Sequence, residues 1–189
     1  IDVITLFPEI LSGPLDASIM GRAQRAGQAE IHLHQLRDYA PDKHHIVDDK
    51  PYGGGPGMLL KCEPIFAAVE DVQSKAAQPG RVILLTPGGQ KFDQAKAREL
   101  ATLDRVVFLC GHYEGIDERV REHLVDEEIS IGDFVLTNGP LPALVVIDAV
   151  VRLLPNGVGN EASTESESFS EGHPGIEGPQ YTRPEEFRG

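Results

Sequence analysis

An α/β domain built on a mostly parallel sheet is what this sequence predicts. Short apolar runs rich in β-branched residues recur along the chain. Each ends at a Gly- or Pro-bearing loop, and stretches of helical composition separate them. Alternation of this kind buries strands on both faces beneath helices, which is why such strands read as continuous apolar runs.

The elements follow in order. IDVITLF (1–7) reads as a buried strand ended by Pro8. Residues 9–26 have helical composition, with a break expected near Ser12-Gly13-Pro14 and an end at Gly27. AEIHLHQL (29–36) alternates apolar and polar residues and predicts a half-exposed strand. Residues 37–57 read as one long loop rich in His, Asp, Gly and Pro, a length usually tied to function or disorder. A helix is predicted over 63–77, with Ile65, Phe66, Val69 and Val72 on one face. RVILLT (81–86) is a second buried strand, broken by Pro87-Gly88-Gly89, and a helix follows over about 93–101. RVVFLCG (105–111) is a third buried strand, before a turn and a short helix near 116–124. Residues 125–136 predict a short extended stretch, and the apolar run 142–154 a buried helix closed by Pro155-Asn156-Gly157. After about residue 156 the chain turns rich in Glu, Ser, Gly and Pro, a linker or tail composition. The expected division is therefore 1–156 as one packed domain and 157–189 as a linker or tail.

A chain of 189 residues with 40% hydrophobic content is long enough for one packed domain. No run of eighteen apolar residues predicts a membrane span, and the first ten residues do not read as a signal peptide. Cys62 and Cys110 lie far apart and outside any CxxC pattern, so they read as buried structural thiols of a reducing cytoplasm. Net charge is −13, a balance that argues against nucleic acid as partner, because phosphate contacts need Lys and Arg. The acid is partly local, however: 161–189 carries seven Glu against two Arg.

Three loops stand after the apolar runs: LLTPGG (84–89), LCGHYEGIDER (109–119) and ISIGDFVLTNGPLPA (129–143). In open α/β sheets ligands bind beyond the carboxyl ends of strands, so these loops fit a pocket floor, with Ile131, Phe134 and Leu136 as apolar walls. They fit ordinary strand-to-helix turns equally well. Glu114 and Asp117 suit chemistry, but capping of the next helix is the safer reading. PYGGGPGM (51–58) matches neither a Walker loop nor a dinucleotide fingerprint; a tight turn and a ligand-facing loop weigh about equally. Arg152 reads first as a cation at a helix C-terminus and second as a functional charge. Glu167 reads by default as an unpaired surface carboxylate. The seven histidines show no metal-site spacing, and His44-His45 reads as a solvated pair.

Six segments together resemble the bacterial TrmD family of tRNA (guanine-N1)-methyltransferases: ITLFPE (4–9), DKHHIVDDKPYGGGPGM (42–58), CGHYEGIDER (110–119), SIGDFVLT (130–137), IDAVVRLLP (147–155) and YTRP (181–184). They run in order over nearly the whole chain. The resemblance implies a SPOUT-type fold with a deep C-terminal trefoil knot, which ordinary topology rules would not suggest. It implies S-adenosyl-L-methionine bound in that knot by Leu85, Pro87, Gly111, Tyr113, Glu114, Ile131, Gly132, Asp133, Phe134, Val135 and Leu136. It also implies a cytoplasmic homodimer, its active site at the subunit interface, acting on the guanine at tRNA position 37.

Within that resemblance the chemistry assigns roles. N1 of guanine carries a proton, so a general base is needed, and the family's carboxylate falls at Glu167. Charge spreading to O6 needs a cation, and the family's arginine falls at Arg152. The family's reported dependence on Mg²⁺ finds no dedicated carboxylate cage here. Two departures stand out: Glu167 replaces the family's usual Asp, and TNGP (137–140) replaces the commoner TGGE, with Asn138 expected in the left-handed backbone glycine would take. The resemblance implies 1–156 as the catalytic domain and a basic tRNA-gripping domain past YTRP, of which 157–189 is expected to hold only the interdomain linker and the start. A cofactor-binding dimeric fragment with little activity, or another SPOUT RNA methyltransferase, is the alternative expectation.

Overall fold

The computed structural model describes residues 1–155, 167–170 and 175–187. The expected boundary at 156/157 lies outside the described residues. Strands β1 (Asp2–Thr5), β2 (His32–Gln35), β5 (Arg81–Lys91), β6 (Val106–Cys110) and β7 (Glu127–Ser130) form one sheet, in the order β2-β1-β6-β5-β7. Every neighbouring pair is parallel, as the run of apolar strands predicts.

Strand periodicity divides the core in two. Val3, Ile83, Leu85, Val106, Phe108, Cys110 and Ile129 point to one face. There they meet helices α1 (Glu9–Asp16), α2 (Ser18–Arg25), α4 (Gln94–Ala101) and α6 (Pro140–Val151). Ile4, Val82, Leu84, Val107 and Leu109 point to the other, against α3 (Cys62–Ser74) and α5 (Glu118–Leu124). Consecutive residues of one strand thus bury against different helix layers.

Four expectations about elements need correction. The break in 9–26 comes at Ala17, extended, and Ser18, at φ 47, and not at 12–14. Pro14 lies inside α1, where its ring removes a single helical hydrogen bond without ending the helix. The loop 37–57 is not structureless: a 3₁₀ turn covers Leu36–Tyr39, and β3 (Asp48–Asp49) pairs antiparallel with β4 (Leu59–Leu60). Pro87-Gly88-Gly89 does not end its strand. β5 bulges between Leu85 and Gln90, then pairs again with β7 through Gln90 and Lys91. Finally, the stretch 125–136 is a strand only over β7. Among the described residues no helix is long and apolar enough to cross a membrane.

Candidate active site

The bulge of β5 and the carboxyl ends of β6 and β7 open into one cavity of about 380 Å³, within the size range of small-ligand sites. The three loops singled out from the sequence surround it. Ten of the eleven expected cofactor residues line it: Leu85 and Pro87 at the β5 bulge, Gly111, Tyr113 and Glu114 after β6, and Ile131, Gly132, Phe134, Val135 and Leu136 after β7. The eleventh, Asp133, is not in the lining; its carboxylate accepts a hydrogen bond from Lys91 Nζ at 2.6 Å on the exposed rim.

Close backbone approach makes the cavity. Gly139 N–H donates to the Gly111 carbonyl at 2.9 Å, and His112 and Asn138 pair as an antiparallel bridge. A β-carbon on Gly139 would lie 2.6 Å from Cys110 Cα, so only glycine lets the loop after β7 lie on the end of β6. Asn138 is not among the residues at positive φ. The expected left-handed backbone there is absent, and the small residue the loop needs is Gly139.

The glycine loop at 51–58 reaches the same rim. A β-carbon on Gly57, at φ 77, would meet the Glu114 side chain at 2.4 Å, and Glu114 N–H donates to the Met58 carbonyl at 3.0 Å. The loop therefore docks on the cavity edge through Glu114, which lines the cavity and caps no helix. Asp117 does cap: it is the N-cap of α5 and accepts from Arg119 N–H at 3.0 Å. Burial and a hydrogen bond to Asp117 push the Cys62 thiol up to about 11, and burial raises that of Cys110 further. Neither thiol is a nucleophile at neutral pH.

Sequence reasoning missed part of the lining. Arg121 and Glu118 on α5 and Glu128 on β7 stand at the cavity, with Arg121 donating to both carboxylates. Nothing in helical periodicity shows that α5 tilts over the loops. His112 was passed over too, although its motif was quoted; its ring lies 5.0 Å from Phe7 and 4.4 Å from Tyr113, both edge to face.

Arg152 and Glu167 lie elsewhere in the subunit. Arg152 is the C-cap of α6, so the helix-end reading holds, and it grips Glu167 with both ends of its guanidinium, Nη1 to Oε1 at 2.7 Å. The default reading of Glu167 as unpaired is wrong: its side chain is only 14% exposed. Hydrogen bonds from Arg152 hold its carboxyl below the usual range, outweighing burial. Pro142, near the other end of α6, lines the cavity. At 1.5 Å per residue along the helix, Pro142 and Arg152 are about 15 Å apart. The cavity and the charged pair are therefore not neighbours within one subunit. Among the described residues no group of three or more His, Cys, Asp or Glu is placed to hold a metal ion.

Comparison with known proteins places this arrangement. The family model for tRNA (guanine-1)-methyltransferase TrmD matches residues 1–189. A tRNA (guanine-N(1)-)-methyltransferase of Dehalococcoides mccartyi (strain 195) is 57% identical over all of this chain and 75% of its own length. The one from Bacillus subtilis (strain 168) is 53% identical over all of this chain and 77% of its own. The crystal structure of tRNA (m1G37) methyltransferase from Aquifex aeolicus superposes with a TM-score of 0.81 at 41% identity, over 99% of this chain and 77% of that one. With its parallel sheet, its three-loop cavity and these relatives, the chain belongs to the tRNA (guanine-1)-methyltransferase TrmD family.

Proposed function

We propose that this protein transfers a methyl group from S-adenosyl-L-methionine to N1 of the guanine at position 37 of cytoplasmic tRNA, as a homodimer with its active sites between subunits. The observation that carries the reading is the cavity: the three loops singled out from the sequence converge on one space, beside the β5 bulge and beyond the carboxyl ends of β6 and β7. Its residues suit the cofactor. Apolar walls from Leu85, Ile131 and Leu136 fit an adenine ring, and the backbone of the loops after β6 and β7 offers polar edges. The tightly overlaid segment 131–139 is also what a threaded C-terminal knot needs.

When bound, the cofactor supplies an electrophilic methyl group on a sulfonium. The chain's own residues do the rest. The three loops fix the direction from which the methyl group faces the base, which turns an encounter into a positioned reaction. Glu167 takes the N1 proton, and Arg152 meets the charge that gathers on O6. In the free subunit these two side chains occupy each other. Guanine O6 must therefore replace Glu167 as the partner of Arg152, and that exchange releases the carboxylate as a base.

The separation of about 15 Å along the helix argues for two subunits at each site, because Arg152 and Glu167 do not line the cavity of their own chain. An exposed apolar surface supports it: Phe134, Val135, Leu136, Leu141 and Val145 crowd the start of α6 and the loop before it, and a second copy of this chain would cover them. Calorimetric titration of S-adenosyl-L-methionine tests the reading. We expect saturable binding of about one ligand per subunit with micromolar affinity; no binding at millimolar ligand would overturn it.

A further inference from the structure

Two polar atoms at the cavity are sealed from solvent without a hydrogen-bond partner among the described residues: Nδ1 of His112 and Oδ1 of Asn138. Buried polar atoms are nearly always paired, so each orphan calls for an explanation. These two belong to residues that already pair with each other through the backbone, His112 in the loop after β6 and Asn138 in the loop after β7. Partners in an antiparallel bridge carry their side chains on the same side. Both residues line the cavity.

We propose that His112 and Asn138 form a side-chain hydrogen bond, from imidazole Nδ1–H to the carboxamide oxygen, that locks the two loops together and sets the shape in which they receive the cofactor. The inference rests on the reading of the cavity as the S-adenosyl-L-methionine site. The geometry leaves the two side chains little else to do. The His112 ring packs edge to face against Phe7 and Tyr113. The Asn138 amide nitrogen is engaged with Thr137 Oγ1 at 3.0 Å, which directs the carboxamide oxygen away from Thr137. Residues paired across strands hold their β-carbons about 4.5–5.5 Å apart, which puts donor and acceptor within reach of side-chain rotation while the backbone bridge stays in place. Burial, with Arg37 nearby, also disfavours the charged imidazole, which leaves a neutral ring with one proton to place. Tyr113, next along the chain, sits at φ 58 with its side chain at the cavity, so the tilt of His112 passes directly to a wall of the site. His112 and Asn138 are positioning residues: neither needs to touch the reacting atoms.

Two readouts test this on the whole chain. Histidine ¹⁵N spectra without ligand should show His112 as the neutral Nδ1–H tautomer, shifting when Asn138→Gly removes the acceptor. An Nε2–H tautomer unmoved by that change overturns the proposal. Calorimetry with S-adenosyl-L-methionine should show roughly five-fold weaker binding for Asn138→Gly and for His112→Phe, the scale of one hydrogen bond. The double variant should be no weaker than the weaker single, and His112→Asn, which keeps a donor near the Nδ1 position, should recover most of the loss. Losses that multiply in the double variant contradict the pair. If the wild-type chain binds no cofactor, the function proposed above fails, while the tautomer measurement still decides whether the hydrogen bond exists.

Discussion

In the proposed reaction Arg152 and Glu167 carry the chemistry, and their contact bears on stability as well. The pair is bidentate and mostly shielded from solvent. Because Arg152 holds the Glu167 carboxyl below its usual range, the stabilisation is present above the unfolded carboxylate pKa of roughly 4.3 and fades as pH falls through the lower folded value. Glu167→Gln should therefore lower the melting temperature at pH 7, by the equivalent of about 1–2 kcal/mol once screening is allowed for. The gap to wild type should close toward pH 3, and a constant gap would contradict the sign. In single-turnover methyl transfer, loss of the base should cost about 10²–10⁴ in rate. Arg152→Ala should cost about 10²–10³ with little change in cofactor affinity. At this scale the sequence was half legible. It marked Arg152 as a helix-end cation, which it is, but no local pattern joins position 152 to position 167 across a segment without periodicity. Only the resemblance brought the two together.

Elements were easier to read where burial is continuous and harder where backbone geometry decides. Strands β1, β5 and β6 follow from apolar runs and their punctuation, because a strand covered on both faces has no room for polar residues, and β2 follows from alternation. Pro87-Gly88-Gly89 misled: a breaker in an isolated strand becomes a bulge when a neighbour such as β7 re-pairs beyond it. Pro14 misled in the same way, since one lost hydrogen bond does not outweigh the burial of Leu11 and Leu15 on α1. The need for glycine at 139 was invisible, because it arises from contact with Cys110 and Gly111, far off in sequence. Gly139→Ala pushes a methyl group against backbone that cannot yield. We expect a loss of about 1–3 kcal/mol in denaturant unfolding and weaker cofactor binding. Wild-type stability and affinity in this variant would mean that the two loops are not tightly overlaid.

For the whole molecule, the sequence indicated the location of the cavity but not how it is completed. Its acidic balance argued against RNA, yet net charge reports solubility and long-range steering rather than the chemistry of one cleft. The exposed apolar surface at Leu141 and Val145 lies on a helix apolar nearly all round, and composition alone does not separate a core helix from an interface helix. Val145→Glu places charge at that surface and should shift the proposed dimer to monomer in sedimentation while abolishing methyl transfer. Dimers mixed from Glu167→Gln subunits and subunits with a blocked cavity should regain activity if each site draws on both chains; no recovery would place all the groups in one chain. The most direct test of the proposed reaction is transfer of labelled methyl from S-adenosyl-L-methionine to two tRNA transcripts that differ only at position 37. We expect label in the guanine transcript, recovered as N1-methylguanine, and none in the adenine one. Equal labelling of both, or label on a ribose, would contradict the assignment of guanine N1 as the acceptor.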